Sequence, residues 1–460
     1  MQLRTLVQGL FLLFATNAMA QPSTQWSAFA NTAWYNALDN TFQIHSAEEL
    51  AGLSQLVAGG NAFAGKTILL ANDLDLGANL WTPIGPDYTH PFSGTVNGNG
   101  HVVSNLYVQL PNADWVGLFG MTTGGTLANI RIAGAYIRGN GTVGALVGNA
   151  STNSTITDCH ATGVDILAGD FNVGGLAGSI MTSSDMLRCS ATGSVSGVSQ
   201  VGGLVGSPWD LTSISQSWSA GTVSGEYLVG GLVGFSTFAF APNRFNTLNN
   251  CYSRANASAT IGRAGGLYGG TQGALIISNC YATGTAMGTE LTGGFIGVSG
   301  DMAVTNSYWD TETSATTTGI GGWEGPQTPQ EITGMGTAQL KTQDMVNLLN
   351  NGQANAPWTI NPSINDGYPA FENTATGIAQ VETGKAQVAV YPALFTGTVY
   401  ISSQAELSHC TVYGTTGQRV HGARLSGNFA ALDLGKVAPG LYYVQVGTAQ
   451  GTITRRIVKQ

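Results

Sequence analysis

Charge is scarce in this chain of 460 residues, of which 9% are Asp, Glu, Lys or Arg. No lysine occurs between Lys66 and Lys341. Without lysine, that span is poor in the cations that neutralise a phosphate backbone, which argues against nucleic acid as a partner along it. No apolar run is long enough to cross a bilayer. His-Glu-x-x-His, Gly-x-Ser-x-Gly and nucleotide-loop motifs are all missing, and the common hydrolase and nucleotide chemistries lose their usual signatures with them. Cysteine is limited to five residues. Glycine, in contrast, reaches 65 residues without a three-residue period, so collagen is excluded. A hydrophobic content of 43% is ample for a core and too high for disorder.

One six-residue phrase recurs. It reads Val-Gly-Ala-Leu-Val-Gly at 143–148, Val-Gly-Gly-Leu-Ala-Gly at 173–178 and Val-Gly-Gly-Leu-Val-Gly at 201–206 and 229–234. Variants stand at 264–269 and 292–297, and a degenerate first copy at 115–120. The closing glycines fall at 120, 148, 178, 206, 234, 269 and 297. A fixed period in this range marks stacked repeats, each burying its apolar face against its neighbours.

A second phrase precedes each copy, as in Ile-Thr-Asp-Cys-His-Ala-Thr-Gly at 156–163 and Ile-Ser-Asn-Cys-Tyr-Ala-Thr-Gly at 277–284. Strand side chains alternate, and Arg131 will not be buried unpaired, so Ile130 must face inward. The same register puts Cys159, Cys189, Cys251 and Cys280 indoors. It sends His160, Trp218, Tyr252, Tyr281 and Tyr308 outward. Asn129, Asp158, Arg188, Gln216, Asn250, Asn279 and Asn306 stand before that column, where a left-handed bend is expected. Two or three short strands per period give an all-β fold: a parallel β-solenoid of about nine coils, a right-handed β-helix by preference.

The ends of such a stack need covering. Ser46 and Glu49 form a capping box before a helix with Leu50, Leu53, Leu56 and Val57 on one face. A second short helix near 342–350 carries Met345, Leu348 and Leu349. These are expected to cap the two ends. The boundaries read as a signal peptide at 1–20, an N-terminal cap at 21–66, the solenoid at 67–322 and a C-terminal cap at 323–372. A Gly/Thr/Ala-rich linker at 373–387 and a separate β-sandwich at 388–460 follow. The signal peptide rests on Arg4, a short apolar stretch and a small-x-small site, which places cleavage between Ala20 and Gln21.

The two repeat phrases resemble those of the GLUG-motif family. Flanking text is similar to that family too: Trp-Thr-Pro-Ile-Gly at 81–85, Asn-Gly-Asn-Gly-His at 97–101, Asn-Ser-Tyr-Trp-Asp at 306–310 and Gly-Tyr-Pro at 367–369. The resemblance implies a secreted or surface-displayed bacterial protein and no defined reaction. The last eighty residues resemble the C-terminal sorting domain of type IX secretion in Bacteroidetes, through Val-Tyr-Pro at 390–392, Val-Tyr-Gly-Thr-Thr-Gly at 412–417, Leu-Asp-Leu at 432–434 and Pro-Gly-Leu-Tyr at 439–442. Ala393 and Leu394 depart from the Asn-Pro usual there. This resemblance implies export through the periplasm, with the type IX machinery as partner.

Three features are candidates for chemistry. Asp73 and Asp75 lie on one strand face and would suit Ca²⁺ or an acid/base pair; the bland alternative turns them to water while Leu74 and Leu76 face the core. Stacked strands sit about 4.8 Å apart, a spacing a disulfide tolerates. Cys159 with Cys189 and Cys251 with Cys280 are the neighbouring pairs, although serine and isoleucine in the same column fit a small buried filler. The outward strip Trp218, Tyr252, Tyr281 and Tyr308 would offer aromatic faces to sugar rings or to host and matrix proteins; stacking for stability is its alternative. His160 reads as a solvated surface residue. The expectation is a non-catalytic adhesin or glycan- or protein-binding solenoid without a cofactor. A polysaccharide lyase or glycosidase, or a passive spacer, are the alternatives.

Overall fold

A computed structural model describes residues 22–236, 245–324, 330–353 and 356–371 of the N-terminal unit. In the C-terminal unit it describes 388–459 apart from 392–393, 396, 404–405, 415–417, 428 and 449–450. The expected cleavage site at Ala20 and Gln21 and the expected linker at 373–387 lie outside the described residues. The chain divides into two compact units at residues 377 and 378.

The N-terminal unit is a parallel β-solenoid. One straight ladder has ten strands, from Thr41–Ile44 to Met302–Thr305. The inward residue of each rung is Phe42, Ile68, Val96, Leu127, Ile156, Met186, Ile214, Leu248, Ile277 or Val304. All ten are buried. Burying one such side chain stabilises by about 1.5–3 kcal/mol, so the column is a main source of cohesion between coils.

A full coil contributes four strands, where two or three were expected. In one repeat these are Thr155–Thr157, His160–Ala168, Phe171–Gly174 and Ala177–Met181. The extra strand comes from the glycine phrase. A Cβ at Gly174 would lie 2.0 Å from the Ala177 carbonyl oxygen, so only a bare backbone can fold back so closely. The bend between the first two strands is the expected left-handed one. Asn129, Asp158, Arg188, Gln216, Asn250, Asn279 and Asn306 all have φ between 46° and 54°.

The stack also runs past both expected boundaries. It opens at Thr41–Ile44, paired with Thr67–Leu70, and closes with Ile320–Trp323 and Ile332–Met335. The N-terminal helix spans Ala47–Ala58, with the Ser46 hydroxyl accepting from the Glu49 amide at 3.3 Å. Glu49 reaches back to the His45 amide at 2.6 Å. Leu50, Leu53 and Val57 enter the solenoid core.

The C-terminal unit is built from mainly antiparallel strands in two sheets. One orders Val388–Tyr391, Thr398–Ser403 and Phe429–Asp433. The other orders Leu394–Phe395, Gly451–Lys459, Gly440–Thr448, Leu407–Gly414 and Arg419–Arg424. Val399, Ile401, Val412, Leu432, Val444 and Val446 are among its core residues.

Candidate functional site

The expected aromatic strip forms a stack, but it is not on the surface. Trp218 and Tyr252 have ring centroids 5.5 Å apart with planes 2° from parallel, and Tyr252 and Tyr281 are 5.1 Å apart at 1°. Trp218, Tyr252, Tyr281 and Tyr308 are only 8%, 2%, 0% and 6% exposed. The expectation of a solvent-facing strip is therefore corrected. Outward from the coil did not mean outward to water, because residues 337–353 and 356–371 fold back along this flank. Leu340, Met345, Val346, Leu349, Trp358, Tyr368 and Phe371 pack onto the column as one cluster.

That strap is the expected C-terminal cap in a different place. Its helix, Gln343–Asn350, lies against the side of the solenoid rather than only closing its end. Polar groups fix the register. Asn306 donates to the Leu348 carbonyl at 2.6 Å, and Gln353 exchanges amide bonds with Asn250 at 3.0 and 3.3 Å. Trp358 donates its indole N–H to Asn250 Oδ1 at 2.9 Å, and Tyr281 donates to the Pro369 carbonyl at 2.6 Å. Buried Asp310 accepts from the Tyr368 hydroxyl at 2.8 Å and from Thr337 at 2.7 Å. Burial pushes the Tyr281 phenol well above its ordinary range, so it stays a neutral donor.

Trp358→Ala should release the strap. The indole packs 5.5 Å from Tyr281 and 4.5 Å from Phe371. Truncating a buried Trp costs about 3–5 kcal/mol. Limited proteolysis should then cut within 337–371 while the coils before 200 stay resistant. Unchanged resistance would show that the strap does not depend on this anchor.

The two aspartates serve the stack. Asp73 accepts from the Val102 amide at 2.9 Å and His101 Nδ1 at 3.1 Å. Asp75 accepts from the Gly77 amide and Asn105 Nδ2, each at 2.9 Å. Both therefore brace neighbouring coils. Other acids do likewise: Asp158 is bidentate to Arg188 at 2.7 Å, and Asp165 to Arg138 at 3.1 Å. The hydrogen bonds and charge of Arg188 outweigh burial and hold the Asp158 carboxyl below its usual range.

His160 is half-buried, where a solvated residue was expected, and its Nδ1 lies 2.9 Å from Ser190 Oγ. Desolvation by the neighbouring coils lowers its pKa. Ile130, Cys159, Cys189, Cys251 and Cys280 are at most 1% exposed, and the four cysteines are free thiols. Burial raises the Cys159, Cys189 and Cys251 thiols, which keeps them protonated and poor nucleophiles.

Two exposed aromatics went unnoticed in the sequence. Phe171 and Tyr227 each stand two places before a glycine phrase, and they are 45% and 42% exposed. The signal was their shared position in alternate repeats.

Residues 389–460 match the family described as the secretion system C-terminal sorting domain, and residues 139–167 match the GLUG motif. Halomucin of Haloquadratum walsbyi is 33% identical over 142 residues, which is 29% of this chain and 2% of that protein. A Gly-rich membrane protein of Evansella cellulosilytica is 32% identical over 121 residues, 24% of this chain and 13% of its own. The chain thus spans a small part of each relative's length. Among solved structures, the enzymatically active domain of tailspike protein 4 from bacteriophage CBA120 aligns over 92% of this chain and 69% of its own. Its identity is 11% and its TM-score 0.24, too low to carry an argument.

Proposed function

The chain is a GLUG-repeat β-solenoid with a type IX secretion C-terminal sorting domain, and on that premise we propose that it is a non-catalytic adhesin contacting glycans or proteins outside the cell. Export to the surface or the medium follows from the sorting domain, which engages the secretion machinery. No helix among the described residues is long and apolar enough to cross a membrane.

The observation that carries the non-catalytic reading is how the acids are used. Asp73, Asp75, Asp158, Asp165 and Asp310 each bind neighbouring coils or the strap through hydrogen bonds. A glycosidase needs two carboxyls converging on one bond, free to exchange protons. Carboxylates held in braces between coils have a structural use instead. The rigid flank of the solenoid supports contact over many coils, as stacked-repeat surfaces do.

The experiment presents the full chain to an array of glycans and matrix proteins, and reads both capture and any cleavage of the captured material. Capture without cleavage supports the proposal. Cleavage overturns its non-catalytic part, and capture of nothing leaves a spacer.

A further inference from the structure

The third sheet carries a pattern that the repeat phrase does not require. The residues two places before the seven phrases are, in chain order, Ala113, Gly141, Phe171, Ser199, Tyr227, Gly262 and Glu290. Ladder pairing places Phe171 beside Ser199 and Ser199 beside Tyr227. Two aromatic residues therefore flank a small one along one edge, with Gly141 and Gly262 at the corresponding positions on either side. Phe171 and Tyr227 stand two rungs apart, roughly 9.6 Å at strand spacing.

Their surroundings distinguish them from scattered surface apolar residues, which need no explanation. Neither ring has an aromatic partner among the described residues, in contrast to the stacked column under the strap. The Tyr227 ring lies over the bare backbone of the next coil, since a Cβ at Gly262 would meet Tyr227 Cδ1 at 2.9 Å. An acid precedes each aromatic: Asp170 before Phe171 and Glu226 before Tyr227. These two carboxylates have no hydrogen-bond or ion-pair partner among the described residues, unlike the bracing acids. The Ser199 side chain sits on the rung between the rings. Arg263, beside Gly262 in the chain, is committed to Glu290 at 3.4 Å and Glu324 at 2.6 Å.

We propose that Phe171 and Tyr227, with Asp170, Glu226 and Ser199, form a binding strip for an extended, uncharged β-1,4-linked polysaccharide running along the solenoid axis. The inference rests on the glycan-contacting reading above and gives it a place. In such a chain successive sugars turn over, so the same ring face recurs every second residue. The two aromatics are about one disaccharide apart, and each can stack on the apolar face of a sugar. The unpaired carboxylates accept hydrogen bonds from sugar hydroxyls at the ring edges. Charge decides between glycan classes. Two free carboxylates without a free cation repel uronic-acid or sulfated chains and leave neutral ones as the occupant.

Titration calorimetry on the full chain tests this with defined oligomers. Cellohexaose or chitohexaose should bind saturably. The corresponding disaccharides should bind at least about tenfold more weakly, because two sugars cannot place like faces on both platforms. A β-1,4-linked mannuronate hexamer, alike in linkage but anionic, should not bind. Phe171→Ala and Tyr227→Ala should each weaken the neutral hexamer by about tenfold or more, while Phe171→Trp retains binding. Both side chains are exposed, so circular dichroism should be unchanged.

Failure of both neutral hexamers to bind at millimolar concentration would overturn the proposal. So would tighter binding of the mannuronate hexamer, or equal binding by the double alanine variant. If the double variant still captures glycans on the array as wild type does, this strip falls and the adhesin reading stands. If wild type captures nothing there, both fall.

Discussion

Deletion of residues 455–460 is expected to stop the protein in the periplasm of a type IX-competent bacterium, with surface and medium reduced to background. The deleted residues end the strand Gly451–Lys459, which pairs with Gly440–Thr448 along its whole length. Ile457 is fully buried in the domain core. Lys459 places its ammonium on the Leu434 and Gly435 carbonyls at 2.9 and 2.6 Å, tying the strand to the opposite side of the domain. Removal takes an apolar side chain from a small core and leaves Gly440 to Val444 with an open edge. The recognition element for export should be lost with it. The solenoid belongs to the other compact unit and should still fold. Fractionation and immunoblotting read the outcome. Intact protein outside the cell after this deletion would show that the domain is not the sorting signal.

Gly230→Ala should divide the solenoid. A Cβ at Gly230 would lie 1.8 Å from the Val233 carbonyl oxygen and 2.5 Å from the Gly269 amide nitrogen. Both are backbone atoms, one in the same coil and one in the next. No rotamer relieves either contact, so the fold-back or the rung spacing must open. The expected loss is about 3 kcal/mol or more, at the upper end for overpacking. In a stack held by nearest-neighbour terms, the break should appear as early melting of adjacent coils rather than uniform weakening. Gly169→Ala is the control. Its Cβ would meet only the side-chain Oδ1 of Asn140 at 3.2 Å, and the change should stay within about 1 kcal/mol. Hydrogen exchange resolved by coil distinguishes the two. Equal protection in both variants would contradict the close packing described for the glycine phrase.

The period of the glycine phrase reported the solenoid because each coil repeats the same local problem. The alternation around Arg131 likewise carried Ile130 and the cysteine column indoors, and the residues before that column took the left-handed bend. Two things escaped. Alternation cannot reveal a fold-back that uses no side chains, so the fourth strand per coil was invisible. Burial of Trp218, Tyr252, Tyr281 and Tyr308 depends on contacts with residues about 30 to 150 positions later, which no local period encodes. Traces of it were nevertheless present. The helix at 343–350 has apolar Met345, Val346 and Leu349 in need of a partner. The Asn-Ser-Tyr-Trp-Asp and Gly-Tyr-Pro phrases hold the two ends of the Asp310–Tyr368 bond. Phe171 and Tyr227 were missed for a different reason: a search for one aromatic per coil passes over two rings with a serine on the coil between them.

The most direct measurement is made on the array already described, with the full-length protein and with product analysis on each spot that captures it. The account predicts retention on neutral β-linked glycans, with captured chains unchanged in length and free of new reducing or unsaturated ends. Shortening of any captured polysaccharide by the purified protein would contradict it.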